Sequence, residues 1–232
     1  MRREPNYLHL LICLVAAIIL IMAGPPRSVV RVCGLFALML TTIFLVSDQK
    51  RRMLVPALFG LGAISLFVWA TFFPASIDSA WTHAFHACAL ALWLAFTLYI
   101  GRTTLRGILS ALHVRANQIY GAIYLYLLIG LVFAQVFQVL FMWQPDALFF
   151  DPARFPAAAD ATARTPSPGD FIYFSFATLA TVGYGDVTPA TPAARAASLI
   201  ESVGGIMYVA IMIARFVAIQ TSDAQRRRDP AP

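Results

Sequence analysis

The chain has 232 residues, of which 60% are hydrophobic and only 12% charged, and its formal net charge is +6. A soluble domain carries roughly 25% charged residues; with a mean hydropathy of +0.75, this chain has too little polar surface to cover a water-soluble globule, and a membrane is its natural solvent. The positive charge does not mark a nucleic-acid binder, because the basic residues fall in short clusters at the ends of apolar runs, a pattern that suits topology and anionic headgroups.

A spanning helix needs about 20 mainly apolar residues. Six stretches qualify, at about 8–24, 28–46, 54–73, 80–101, 119–143 and 196–219. The first follows Arg2 and Arg3, as a signal peptide would, but Pro25-Pro26 makes a poor cleavage context and the run is long. Cys13, Cys33 and Cys88 lie inside apolar runs without metal-motif spacing, and read as small buried hydrophobes.

The fourth run, 80–101, contains no Arg or Lys. A voltage sensor needs repeated charges there, each worth about 2.3 kcal/mol per 100 mV, so residues 1–101 read as a four-helix unit without sensor arginines. His83 and His86 lie three apart with Cys88 nearby. Interfacial structural histidines, a pH sensor and a metal site are the readings of this group, although no third and fourth ligands stand at matching spacing. Residues 102–118 are basic and partly amphipathic, with Leu105, Ile108, Leu109 and Leu112 at helical spacing. They predict a linker helix along the cytoplasmic membrane face, or else a headgroup-facing loop.

The second half, 119–219, divides into an apolar helix 119–143, a Pro-, Ala- and Asp-rich turret loop 144–169, a short helix 170–180, a loop 181–186 and a last apolar helix 196–219, with a short tail 220–232. The 170–180 helix is too short to span and must be re-entrant, which a membrane allows only where protein surrounds it. With the N-terminus inside, Arg2, Arg3, Lys50, Arg51, Arg52, Arg102, Arg106, Arg115, Arg226, Arg227 and Arg228 are cytoplasmic, eleven of the seventeen basic residues. Arg27, Arg31, Arg154, Arg164 and Arg195 are outside and Arg215 is within the last helix. This bias predicts both termini inside.

Residues 181–186 read Thr181-Val182-Gly183-Tyr184-Gly185-Asp186. Pointing successive carbonyls toward one axis requires backbone angles of alternating hand, and Gly183 and Gly185 reach φ > 0 at little cost. Such a ladder replaces the water of a potassium ion without adding net charge. The hexapeptide resembles the selectivity filter of the potassium channel family, specifically a bacterial-type six-transmembrane channel that lacks the charged voltage-sensor helix. The resemblance is strongest over 119–219, including Thr188-Pro189, and rests on helix count and loop charge alone over 1–118.

The resemblance implies an all-α membrane protein with six transmembrane helices, a re-entrant pore helix and one filter per chain, hence a homotetramer. It implies K+ bound at Thr181, Val182, Gly183 and Tyr184, with Gly185 at the outer mouth, and no other cofactor. Asp186 matches a residue that bonds an aromatic of the pore helix, here Tyr173. Phe171, Tyr173, Phe174 and Phe176 are expected to form an aromatic cuff around Tyr184, and Asp170 to cap the pore helix. Some members place a carboxylate four residues before the first filter threonine; this chain has Ala177, so gating through that group is not carried over. Ala180 likewise stands where threonine is frequent.

Gly204-Gly205 matches a region that often hinges in the family; the other reading is close packing against a neighbour. Glu201 and Arg215 are fourteen residues apart, about 21 Å along a helix, and cannot pair within one chain. Glu201 is placed to anchor the inner helix behind the filter, and Arg215 to snorkel to headgroups or bond across subunits. Arg102, Arg106, Arg226, Arg227 and Arg228 are expected to meet anionic headgroups. The expected function is passive, potassium-selective conduction, not enzymatic and not strongly voltage-gated, across a multi-pass membrane location of prokaryotic inner-membrane type. The alternatives are a nonselective or non-conducting subunit and a membrane metal-binding protein using His83, His86 and Cys88.

Overall fold

The computed structural model describes residues 6–23, 80–110, 115–154 and 166–228, without the side chains at 23, 80–86, 224 and 226–228. The expected spans at 28–46 and 54–73, and the centre of the turret loop, lie outside the described residues, as do the side chains of His83 and His86.

Five helices and one two-stranded ribbon make up the described chain: α1 Tyr7–Ala23, α2 Ala80–Leu109, α3 Ala116–Trp143, β1 Leu148–Phe150, α4 Pro168–Leu179, β2 Val187–Pro189 and α5 Pro192–Arg228. Among them, Ala87–Leu109, Ala116–Trp143 and Pro192–Asp223 are long and apolar enough to cross a membrane, and Tyr7–Met22 is a shorter apolar helix.

Helix ends follow local chemistry. α3 begins at Arg115, whose N–H donates to the side chain of Gln118 at 3.0 Å. It ends before Gln144-Pro145, with the Gln144 N–H closing on Leu140 at 2.8 Å. α5 starts with proline at its first position, where a missing N–H costs nothing, and the Thr191 hydroxyl accepts from the Ala194 N–H at 3.4 Å. α2 shows no break between the fourth span and the 102–109 stretch; it continues to Leu109.

α3 is the hub, with α1, α2, α4 and α5 all packed on it. Two apolar clusters fill the contacts. The first gathers Leu10, Leu14, Phe96, Ile100, Ile108, Tyr124 and Met212. The second gathers Ile21, Phe137, Phe171, Phe174, Val187 and Ala194 around α4. The Tyr7 N–H donates to Asn117 at 2.9 Å, tying the start of α1 to that of α3. Arg215 donates to the carbonyl of Leu109, the last residue of α2. A helix leaves its last four carbonyls without helical partners, and a cation there also suits the helix dipole. The starts of α1 and α3, the end of α2 and the inner part of α5 therefore share one end of the bundle. Arg215 has a partner inside the chain, 106 residues away.

The loop after α3 is more ordered than its composition predicts. β1 pairs antiparallel with β2, with Leu148 opposite Pro189, Phe149 opposite Thr188 and Phe150 opposite Val187. The apolar run Ala147–Phe150 was the available signal, since Ala147 and Leu148 are buried.

Candidate functional site: the 181–186 loop

α4 delivers the loop. Ser167 is its N-cap and Pro168 its first residue. Asp170 is three residues after the cap, and its carboxylate accepts from the Ser167 N–H at 2.7 Å, half of a capping box. Asp170 thus supports the cap from inside the first turn and is not itself the cap. At the other end the backbone turns sharply. The Thr181 N–H returns to Thr178 at 3.0 Å, and those of Val182 and Gly183 both return to the Ala177 carbonyl, at 2.8 and 3.2 Å.

The φ angles of Thr181, Gly183 and Gly185 are +57°, +58° and +78°, and no other described residue has positive φ. The hand of the backbone therefore alternates along 181–185, as a one-sided carbonyl ladder requires. A Cβ at Gly183 or Gly185 would meet nothing within 4 Å. Glycine is needed there for its dihedral and not for space. Among the described residues, no group donates to the carbonyls of 181–185, and all five residues are exposed.

Behind the loop, the Tyr173 hydroxyl donates to Asp186 at 2.6 Å. Its ring stacks on Tyr184 with centroids 6.1 Å apart and planes 5° from parallel. The other Asp186 oxygen accepts from the Val187 N–H at 3.0 Å, and its carbonyl accepts from the Asp151 N–H at 2.9 Å. The turret segment and β2 therefore brace the residue that Tyr173 holds from inside. Burial, and then the Asp186 acceptor, push the Tyr173 phenol from 10.0 up to about 12. With the folded value raised, this support is fully present below pH 10 and is lost only as pH rises through about 12. Tyr173→Phe removes a hydrogen bond to a charged group, worth about 1.5–3 kcal/mol. The expected result is a tenfold or greater loss of ion discrimination (roughly 1.4 kcal/mol per factor of ten) with assembly intact, read by comparing K+ and Na+ flux.

The expected aromatic cuff divides. Among the described residues only Tyr173 makes a ring contact with Tyr184. Phe174 packs edge-on against Phe137 of α3 at 4.7 Å, and Phe171 against Phe141 at 5.6 Å. Three of these aromatics thus fix α4 to α3 while one holds the loop; Phe171 and Phe174, three apart, share the face toward α3, and Tyr173 lies on another. Phe176 is the third, lying over Gly130 of α3.

α5 closes the rear. Glu201 is fully buried, with Oε1 against the Ser175 hydroxyl, which also reaches the Gly130 carbonyl at 2.6 Å. The Ser202 hydroxyl reaches the Thr178 carbonyl at 3.3 Å, and Tyr126 of α3 donates to Leu179 at 3.3 Å. α5 runs unbroken through Gly204 and Gly205. A Cβ on Gly205 would lie 2.7 Å from the Leu179 side chain and 2.9 Å from its carbonyl oxygen, whereas one on Gly204 meets nothing within 4 Å. Ser175, Gly130 and Tyr126 were not singled out from the sequence. Their role depends on contacts across helices, for which no local pattern exists. Among the described residues no group of three His, Cys, Asp or Glu side chains could hold a metal ion.

Residues 125–221 match the protein-family model described as "Ion channel". The chain is 39% identical over 67 residues to "Two pore potassium channel c" of Oryza sativa subsp. japonica, an alignment covering 29% of this chain and 14% of the relative. It is 40% identical over 58 residues to "Potassium channel K1" of Plasmodium berghei (strain Anka), covering 25% of this chain and 3% of the relative. The chain thus spans a small part of the length of either relative. No solved structure gives a significant match. The chain is thus a helical membrane protein whose residues 125–221, from within α3 through most of α5, are similar to an ion-channel domain.

Proposed function

We propose that this protein is a potassium-selective channel that conducts K+ passively through a ring of four 181–185 loops. The observation that carries the reading is the alternating backbone hand at Thr181, Gly183 and Gly185, together with N–H groups turned back to Ala177 and Thr178. With the N–H groups of 181–183 so engaged, and no donor to the carbonyls of Thr181, Val182, Gly183 and Tyr184 among the described residues, those four carbonyls are available to an ion. Carbonyl dipoles in a ring replace ion hydration while leaving the ion able to depart. The potassium channel relatives support the choice of ion.

One loop cannot encircle an ion, so the site needs further copies, and fourfold cyclic symmetry satisfies that need. The outward face of α5 supports assembly: Leu199, Ile200, Val203, Ile206 and Met207 are all more than half exposed in the single chain, as is Tyr184, and Val182 is half exposed. Apolar surface of that extent calls for protein or lipid cover. The cytoplasmic placement of both termini rests on the arginine bias, and a prokaryotic inner membrane is proposed with it. Residues 1–101 carry no sensor arginines in the fourth span, so conduction is proposed to be only weakly voltage-dependent.

Purified protein in liposomes is expected to pass K+ and Rb+ and little Na+, with block by Ba2+. Equal K+ and Na+ permeability would overturn the selectivity reading, and absence of any flux from assembled protein would favour the non-conducting alternative.

A further inference from the structure

Where α3, α4 and α5 meet behind the loop, the Ser175 hydroxyl lies in hydrogen-bonding reach of both the Gly130 carbonyl and the Glu201 carboxyl. All three residues are buried, and Ser175 and Glu201 have no solvent exposure at all. Their protons can be counted. The Gly130 carbonyl can only accept, so the 2.6 Å contact uses the single Ser175 proton. The Ser175–Glu201 contact then has no proton unless Glu201 supplies it. An ionised Glu201 would leave two oxygens facing each other as acceptors. It would also leave a negative Oε2, which has no partner among the described residues, in a site with no solvent exposure. Tyr126, the neighbouring titratable group on α3, already donates to Leu179, and Glu201 makes no ion pair among the described residues. An unpaired buried charge is far costlier than a neutral carbonyl oxygen without a donor.

We infer that Glu201 is held as a neutral carboxylic acid that donates through Ser175 to the Gly130 carbonyl, and that this relay is a positioning device for the filter. The relay joins the inner helix, pore helix and outer helix at one point. Its pore-helix member, Ser175, lies two residues before Ala177, whose carbonyl takes the N–H groups of Val182 and Gly183. Close approach at the same junction tightens the coupling. A Cβ on Gly130 would come within 2.9 Å of the Phe176 ring, so the helices have no slack to absorb a lost link. Movement of α4 would therefore tilt the 181–183 backbone. The functional half of this inference rests on the potassium-channel reading; the protonation half does not.

Two measurements on the purified full chain test it. The first is the infrared difference between wild type and Glu201→Gln. The wild type is expected to show a protonated-carboxyl carbonyl band that the variant lacks; loss of carboxylate bands instead would overturn the inference. The second is K+ against Na+ flux in liposomes. Glu201→Gln keeps a donor of the right length and is expected to hold wild-type discrimination within about twofold. Glu201→Asp is one methylene short and leaves the Ser175 oxygen without its donor, so discrimination is expected to fall about tenfold. Equal discrimination in the Asp and Gln variants, or a loss in Gln matching that in Asp, would overturn the positioning role. A failure of the wild type to conduct would count against the channel reading, while the infrared result would still decide the state of Glu201.

Discussion

Gly183→Ala is expected to abolish selective K+ flux while leaving the folded chain intact. Its φ is +58° and a Cβ there meets nothing within 4 Å, so the substitution acts on the backbone and not through a clash within the chain. Left-handed conformation costs an L-residue roughly 1–2 kcal/mol. In the proposed ring of four loops that cost falls four times, about 4–8 kcal/mol for the conducting arrangement, or a roughly thousandfold or greater loss at about 1.4 kcal/mol per factor of ten. The Ala side chain is small and the loop is exposed, so melting temperature and oligomer size should stay near wild type. Gly183→Asp should have at least as large an effect, since it adds a charge to the same backbone demand. The measurement is 86Rb+ uptake into liposomes alongside size-exclusion chromatography of the same preparation. Selective uptake at the wild-type rate in Gly183→Ala would falsify the carbonyl-ladder mechanism.

Gly204→Ala and Gly205→Ala should separate completely, although the two residues are identical and adjacent. At Gly205 the added methyl lies 2.9 Å from the Leu179 carbonyl oxygen and 2.7 Å from the side chain of Leu179, which is itself only 1% exposed. That carbonyl is already held by Tyr126, so it cannot move aside freely. Overpacking of this kind costs about 1–3 kcal/mol, which falls directly on the end of α4 that leads into the 181–186 loop. We expect a lower melting temperature and at least about tenfold less K+ flux from Gly205→Ala. Gly204→Ala enters open space in the chain and gains up to about 1 kcal/mol of helix propensity, so its stability should be unchanged or raised. The pair also tests the hinge. If α5 opens by bending here, Gly204→Ala should reduce open probability in single-channel records without loss of stability; unchanged gating would leave close packing as the role of the glycines.

The loop was legible in the sequence because its requirement is local. Alternating backbone hand depends on which residues tolerate positive φ, and Gly183 and Gly185 declare that directly. Thr181 does not, and its φ of +57° is held by the return of its own N–H and the next two to the pore-helix end. The Tyr173–Asp186 pair was reachable through resemblance. The division of the aromatics was not, because it depends on which face of α4 meets α3.

Length, apolar content and the Thr181–Asp186 loop thus by themselves determined a helical membrane protein with a loop of alternating backbone hand, since hydropathy and glycine dihedrals act within a few residues. Only the tertiary structure decided what stands behind that loop. The Ser175–Glu201 contact joins residues 26 apart, the Ser175–Gly130 bond residues 45 apart, and the Arg215–Leu109 bond residues 106 apart. The difference between Gly204 and Gly205 is of the same kind. A helix turns about 100° per residue, so adjacent glycines face different neighbours, and which of them meets Leu179 depends on how α5 is rotated against α4.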